Sequence, residues 1–157
     1  MLKDWNKVEQ PTAEEADKRL ANAKNSLLQQ QIAMKEKKLP VIVLLEGWGA
    51  AGKGSVLGKL IKNIDPRFFK VAVMDEPTEE EKRKPFLYRH FVKIPEAGKF
   101  VFMDSGWMSE VTSQKLSGEL SEEEYKKRIE SIKRFERQLT DNGYLLLKFF
   151  FNIDKKE

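Results

Sequence analysis

The sequence predicts an α/β domain organised around a mainly parallel sheet of about four strands. Three observations carry that expectation. Short apolar runs that read as strands alternate with amphipathic stretches that read as helices, the order that builds a helix-covered parallel sheet. Residues 41–45, VIVLL, form an unbroken β-branched and Leu run, the pattern of a strand buried on both faces. A glycine-rich turn follows directly and leads into another helical stretch.

Residues 12–38 read as a helix. Ala13, Ala16, Leu20, Ala23, Leu27 and Met34 recur at three- and four-residue spacing, Pro11 stands just before, and Pro40 lies beyond the end. This stripe reads first as a helix covering the domain's own sheet, with a coiled-coil seam as the alternative. After the turn at 47–54, residues 56–64 predict a second helix stopped by Asp65-Pro66, and residues 69–74 a second strand. Thr78 and Glu81 have capping-box spacing and open a helical stretch in which Leu87, Phe91 and Ile94 share a face. Pro85 starts its second, regular part. Residues 95–99 form a turn, and residues 100–103 a third strand ending at Asp104. Ser121 and Glu124 form another capping box. Behind it Tyr125, Ile129, Ile132, Phe135 and Leu139 mark one face of a long helix closed by Asn142-Gly143. Residues 144–153 predict the fourth strand. There is no internal repeat.

Composition narrows the function. A length of 157 residues points to one domain, and 40% apolar residues with ten Phe can fill its core. Neither long apolar run approaches the roughly 20 residues of a membrane span. The start, MLKDWNKVEQ, lacks the apolar segment of a signal peptide, so the expected location is cytoplasmic, with no membrane partner. The absence of Cys excludes disulfides, thiolate metal sites and Cys nucleophiles. A single histidine, His90, excludes a multi-His metal centre and leaves a Ser-His-Asp triad without support. The net charge of +4 leans toward an anionic partner, but the basic residues are balanced locally by Glu, which argues against nucleic acid.

The segment Gly47-Trp48-Gly49-Ala50-Ala51-Gly52-Lys53-Gly54-Ser55 matches G-x4-G-K between a buried strand and a helix, the context a Walker A phosphate loop (P-loop) requires. Small residues let successive backbone N–H groups turn inward around an anion, and the helix start adds its positive end. The candidate phosphate-binding residues are Gly47, Gly49, Ala51, Gly52, Lys53, Gly54 and Ser55. Lys53 is also a catalytic candidate, because its mobile charge suits phosphoryl transfer. Gly54 replaces the Ser or Thr that usually follows the lysine and holds Mg²⁺, and Ser55 lies about 100° further round the helix. A turn built for tight packing is the plainer reading. Asp104 ends an apolar strand at its carboxyl end, where ligands bind in open α/β sheets. It is the second catalytic candidate and the metal candidate, with a helix cap or loop role as its alternative.

From about residue 27 onward the chain resembles the family-2 polyphosphate kinases. Glu46 through Gly54 is similar to the family's E-G-x-D-A-A-G-K-G, which also accounts for Gly54. Asp65-Pro66-Arg67 resembles its N-P-R turn, Pro77 through Glu81 its P-T-x-x-E segment, and Tyr88 through Phe91 its aromatic-Arg helix. Pro95 through Lys99 resembles L-P-x-x-G-x, and Asp104-Ser105-Gly106-Trp107-Met108 stands where the family has D-R-S-W-Y. Phe135 through Leu139 and Gly143 through Phe149 resemble F-E-x-x-L and G-x-x-x-L-K-F.

The resemblance implies a P-loop NTPase-type three-layer α/β/α fold with an N-terminal helix. It implies transfer of a terminal phosphoryl group between polyphosphate and AMP or ADP with Mg²⁺, and adds Arg67 and Arg89 as substrate-binding candidates, each with a solvated surface role as its alternative. The departures are Gly49 for an Asp, Ser105 for the Arg, Gly106 for the Ser and Met108 for the Tyr, which lower the expected metal affinity and rate. The family's lid follows its fourth strand, so residues 1–157 read as a single truncated domain, a 12–38 helix and a 41–157 core without lid or later elements. The rival reading is a non-catalytic half that pairs with a catalytic copy, as a homo-oligomer or a fused second domain; an ATP-using P-loop transferase is the other. Lys82-Arg83-Lys84 and Lys126-Lys127-Arg128 each follow three Glu and read as solvated helix faces, with a polyphosphate track as the alternative.

Overall fold

The computed structural model describes residues 11–62 and 64–153. Residue 63, inside the predicted helix 56–64, and residues 154–157, at the end of the predicted core, lie outside the described residues, as do residues 1–10. The elements run α1 (Ala13–Glu36), β1 (Val41–Gly47), α2 (Lys53–Ile61), a 3-10 turn (Pro66–Phe68), β2 (Phe69–Val73), α3 (Glu79–Lys82), α4 (Tyr88–Phe91), β3 (Phe100–Asp104), α5 (Trp107–Leu116), α6 (Glu122–Asp141) and β4 (Leu145–Phe151). The four strands form one parallel sheet in the order β2-β3-β1-β4.

Alternation along β1 and β3 sorts the core into two layers. Ile42, Leu44, Val101 and Met103 point to α5 and α6, where they meet Trp107, Val111, Ile132, Phe135 and Leu139. Val41, Val43, Leu45, Phe100 and Phe102 point the other way and meet Leu57 of α2, with Leu27 and Met34 of α1 at the margin. Helices on both faces make the three-layer arrangement that the sequence predicts. From β1 the chain moves outward to β2, returns to β3 and crosses to β4, so the strand order reverses at the carboxyl ends of β1 and β3, where such sheets place their sites.

Several elements differ from their sequence-based bounds for physical reasons. α2 begins at Lys53 rather than 56, because Gly52 at φ 77° turns the chain directly into the helix and the first turn carries no apolar marker. The predicted helical stretch after Thr78 breaks into the four-residue α3 and α4. Of its expected face, Leu87 and Ile94 pack against the core while Phe91 is 55% exposed, and the buried residues of α4 are Arg89 and His90. α5 is unannounced in the sequence, since only Trp107 and Val111 are buried along a mostly polar surface. α1 spans about 36 Å at 1.5 Å per residue, far more than a five- to seven-residue strand can underlie. Its C-terminal half alone therefore covers the sheet, and Leu20, Leu28 and Ile32 remain exposed.

The α6 face is as predicted, and all three capping boxes close, including one at Thr12 and Glu15 that the sequence reading did not single out. Lys82, Lys126 and Lys127 pair with Glu79, Glu122 and Glu123 on solvated helix faces. No helix among the described residues is long and apolar enough to cross a membrane.

Trp107 is fully buried, edge-on to Phe135, with its indole N–H donated to Glu136 Oε1 at 2.9 Å. Trp107→Ala is expected to cost about 3–5 kcal/mol in urea unfolding. Leu116→Ala, on the outer face of the same helix, is expected to stay within about 0.5 kcal/mol of the parent.

Candidate functional site

The glycine-rich loop leaves β1 at Gly47, whose φ of 129° is closed to most side chains and whose absent Cβ would run into the Phe151 carbonyl of neighbouring β4. The loop therefore emerges tight against the sheet. Lys53, in the first turn of α2, folds back beneath it and donates from Nζ to the carbonyls of Gly47 at 3.2 Å and Trp48 at 2.9 Å. Its side chain is buried, so the ammonium is sheltered from bulk water. Ala51 is less available than its place in the motif implies, because its N–H is donated to the Trp48 carbonyl at 3.1 Å. Trp48 swings outward, donating its indole N–H to Asn152 Oδ1 at 3.2 Å and standing edge-on to Phe150.

Across the loop stands Asp104. The β1–β3 register pairs it with Leu45, one residue before Glu46. Its Oδ2 lies 4.0 Å from where a Cβ on Gly54 would sit, so the carboxylate faces the first turn of α2 over a position that offers no side-chain oxygen. Gly49, Gly52, Lys53, Gly54, Ser55 and Asp104 border one open cleft of about 480 Å³. Ser105 also borders it, in the left-handed region at φ 63° and with its N–H on the Leu45 carbonyl. A strained residue of this kind persists where its surroundings over-determine it.

A second cavity of about 540 Å³ shares Met74 and Ser105 with the first. Arg89 lines it, buried rather than solvated, donating from Nη2 to the Asp75 carbonyl with Nη1 3.8 Å from Glu110 Oε2. His90 is fully buried and has the partner its sequence context does not reveal, Glu110 Oε2 at 3.0 Å from Nε2. Arg67 is placed elsewhere. It precedes β2, at the opposite end of the parallel sheet from the glycine loop, and is exposed and clasped to Asp65 at 2.6 Å. Glu110 lines the second cavity and Glu46 a separate one beside Gly47, Trp48 and Ser109, and neither is a site candidate in the sequence. The one signal for Glu46 is its place directly before the loop.

One carboxylate facing the loop suits Mg²⁺, which keeps several waters and leans on one or two carboxylates plus substrate phosphates. It does not suit an all-protein metal cage, and no group of three or more His, Cys, Asp or Glu able to hold a metal occurs among the described residues.

The structure is thus a parallel α/β protein with a glycine-rich loop, a sheltered lysine and a facing carboxylate at its switch point. The chain belongs to the polyphosphate kinase 2 family, whose model matches residues 10–157. It is 30% identical over 140 residues to an ADP-polyphosphate phosphotransferase 3 of Rhizobium meliloti, covering 89% of this chain and 49% of that one. It is 32% identical over 142 residues to a polyphosphate:AMP phosphotransferase of Pseudomonas aeruginosa, covering 90% of this chain and 29% of the relative. Among solved structures, a polyphosphate kinase 2 from Pseudomonas aeruginosa PA01 superposes with a TM-score of 0.92 at 29% identity, over 99% of this chain and 34% of that one. One from Arthrobacter aurescens TC1 superposes at 0.81 and 26% identity, over 87% and 50%. The chain thus spans half or less of the length of these relatives.

The Asp65–Arg67 clasp yields a pH test outside the cleft. The Arg67 guanidinium and backbone N–H bonds to Asp65 hold its carboxyl at about 2, below the ordinary 3.8. A lowered carboxyl stabilises the fold above its ordinary value and loses that effect as pH falls through the lowered one. The melting-temperature deficit of Asp65→Asn is therefore expected to be constant at neutral pH and to shrink as pH falls from about 4 toward about 2. A deficit independent of pH across that range contradicts the clasp.

Proposed function

We propose that this chain is a P-loop domain for phosphoryl transfer between polyphosphate and an adenine nucleotide, AMP or ADP, with low intrinsic turnover. The observation that carries this reading is Lys53 held under the glycine loop with Asp104 facing it across the cleft. The amides of Gly47, Gly49, Gly52, Gly54 and Ser55 cradle phosphate oxygens at the start of α2, and Ala51 joins them if its turn opens. Lys53 transfers its donors from the loop carbonyls to the phosphates and neutralises charge there. A phosphate oxygen of the acceptor forms a bond to the terminal phosphorus of polyphosphate. The bridging P–O bond breaks, and the chain leaves one unit shorter with the electron pair. Mg²⁺, which Asp104 would hold, supplies further positive charge to the phosphates when bound. Protein groups contribute positioning and charge neutralisation, as this chemistry requires.

Low turnover follows from the substitutions. Gly49 and Ser105 bring no charge to the cleft, and single electrostatic groups of this kind are commonly worth about 10²–10³ in rate. A second reading, a non-catalytic half that binds another copy, is favoured by the apolar side chains left exposed on α1 and on edge strand β4, where Phe149 and Phe150 are more than half exposed.

Isothermal titration with polyphosphate and Mg²⁺ is expected to show saturable binding that Lys53→Ala weakens at least about tenfold, the loss of a charge-assisted contact. No binding by the parent, or equal binding by the variant, contradicts the reading. Space is open around a Cβ at residue 49. Gly49→Asp combined with Ser105→Arg is accordingly expected to raise AMP-to-ADP conversion by at least about tenfold. Vigorous conversion by the parent contradicts low turnover, and a dimer by light scattering without polyphosphate binding favours the second reading.

A further inference from the structure

Two helices begin at the carboxyl end of the sheet, α2 behind the glycine loop and α5 behind the Asp104-Ser105-Gly106 turn. Neither preceding glycine, Gly52 or Gly106, supplies a side-chain cap. α5 is nonetheless capped, from β1. Glu46 accepts the backbone N–H of Ser109 at 3.1 Å and the Ser109 hydroxyl through the same oxygen, Oε2. Ser109 is the third residue of α5, whose N–H a capping side chain ordinarily takes. Glu46 is 6% exposed, and its carboxyl group lies at the positive end of the helix.

The other oxygen, Oε1, is buried and has no hydrogen-bond partner among the described residues. A Cβ on Gly106 would lie 2.5 Å from it. The φ of Gly106, −94°, is open to any residue, so what limits this position is space, with Leu44 Cδ2 a further neighbour at 3.1 Å from the same point.

We propose that Glu46 is a positioning residue that caps α5 in trans and so fixes the root of the glycine loop against the turn that carries Asp104. Glu46 is bonded directly to Gly47, whose carbonyl receives Lys53. Through Ser109 it is joined to α5 three residues beyond Gly106. The two halves of the cleft are thereby held in one relation. The strut stands on geometry alone, and its effect on binding rests on the function proposed above.

Amide hydrogen exchange of segments 46–53 and 104–112 tests this in the full chain, alongside polyphosphate titration. Glu46→Ala is expected to speed exchange in both segments by at least about fivefold. Glu46→Gln keeps an oxygen for both Ser109 bonds and is expected to remain within about twofold of the parent. Polyphosphate affinity is expected to fall in Glu46→Ala and to stay within about twofold of the parent in Glu46→Gln. The proposal is overturned if Glu46→Ala leaves 46–53 at the parent rate while 104–112 loosens, which makes Glu46 an ordinary helix cap, or if Glu46→Gln behaves as the alanine variant does. Should Glu46→Ala not fold, Ser109→Ala removes the hydroxyl bond and is expected to loosen both segments to a smaller degree; unchanged 46–53 exchange there overturns the proposal equally. A parent that binds no polyphosphate, with the exchange pattern intact, counts against the function and leaves the strut standing.

Discussion

The register between β1 and β3 is the constraint on which the rest of the molecule depends. Pairing Leu45 with Asp104 ends both strands at the same level, so the glycine loop and the aspartate emerge side by side. Both strands are buried on both faces, and every inward side chain of one is committed to a neighbour in its own layer. A slip by one residue would exchange the layers and turn Asp104 into the core. The apolar packing of Val41 to Leu45 against Phe100 to Met103 therefore sets the width of the cleft, although none of those residues touches it.

Much of this was legible beforehand. Unbroken apolar runs gave away β1 and β3, since few other structures use such runs between turn residues. The glycine turn declared itself by spacing, and Lys53 and Asp104 do meet across one cleft. What stayed hidden has two causes. α5 buries only Trp107 and Val111, too few for a period, while the burial of Arg89 and His90 and the capping role of Glu46 come from long-range polar contacts, which leave no period in a sequence. His90 has no partner in its sequence neighbourhood until Glu110, twenty residues later, is brought within hydrogen-bond reach. Arg67 takes the solvated alternative, in a family-like turn at the far end of a strand with its guanidinium held by Asp65.

The site's electrostatics are asymmetric. The N-terminus of α2 is left without an acidic side chain in its first turn and opens onto the cleft. The N-terminus of α5 is closed by Glu46. Of two positive helix ends at the switch point, one remains free for a bound anion and the other is neutralised internally. Family-like residues that would add charge opposite α2 are replaced by Gly49 and Ser105, so the loop and Lys53 carry most of the attraction that remains. The proposed phosphate binding and the proposed low turnover both follow from this asymmetry.

The central claim is that the glycine loop receives phosphate. Backbone ¹H–¹⁵N spectra recorded while tripolyphosphate is added in Mg²⁺ test it residue by residue. The account predicts saturating shifts concentrated on the amides of Gly49 through Ser55, with smaller ones at Asp104 and Ser105, and their disappearance in Lys53→Ala. Shifts confined to the basic faces of α3 and α6, or none at the loop at saturating tripolyphosphate, contradict it.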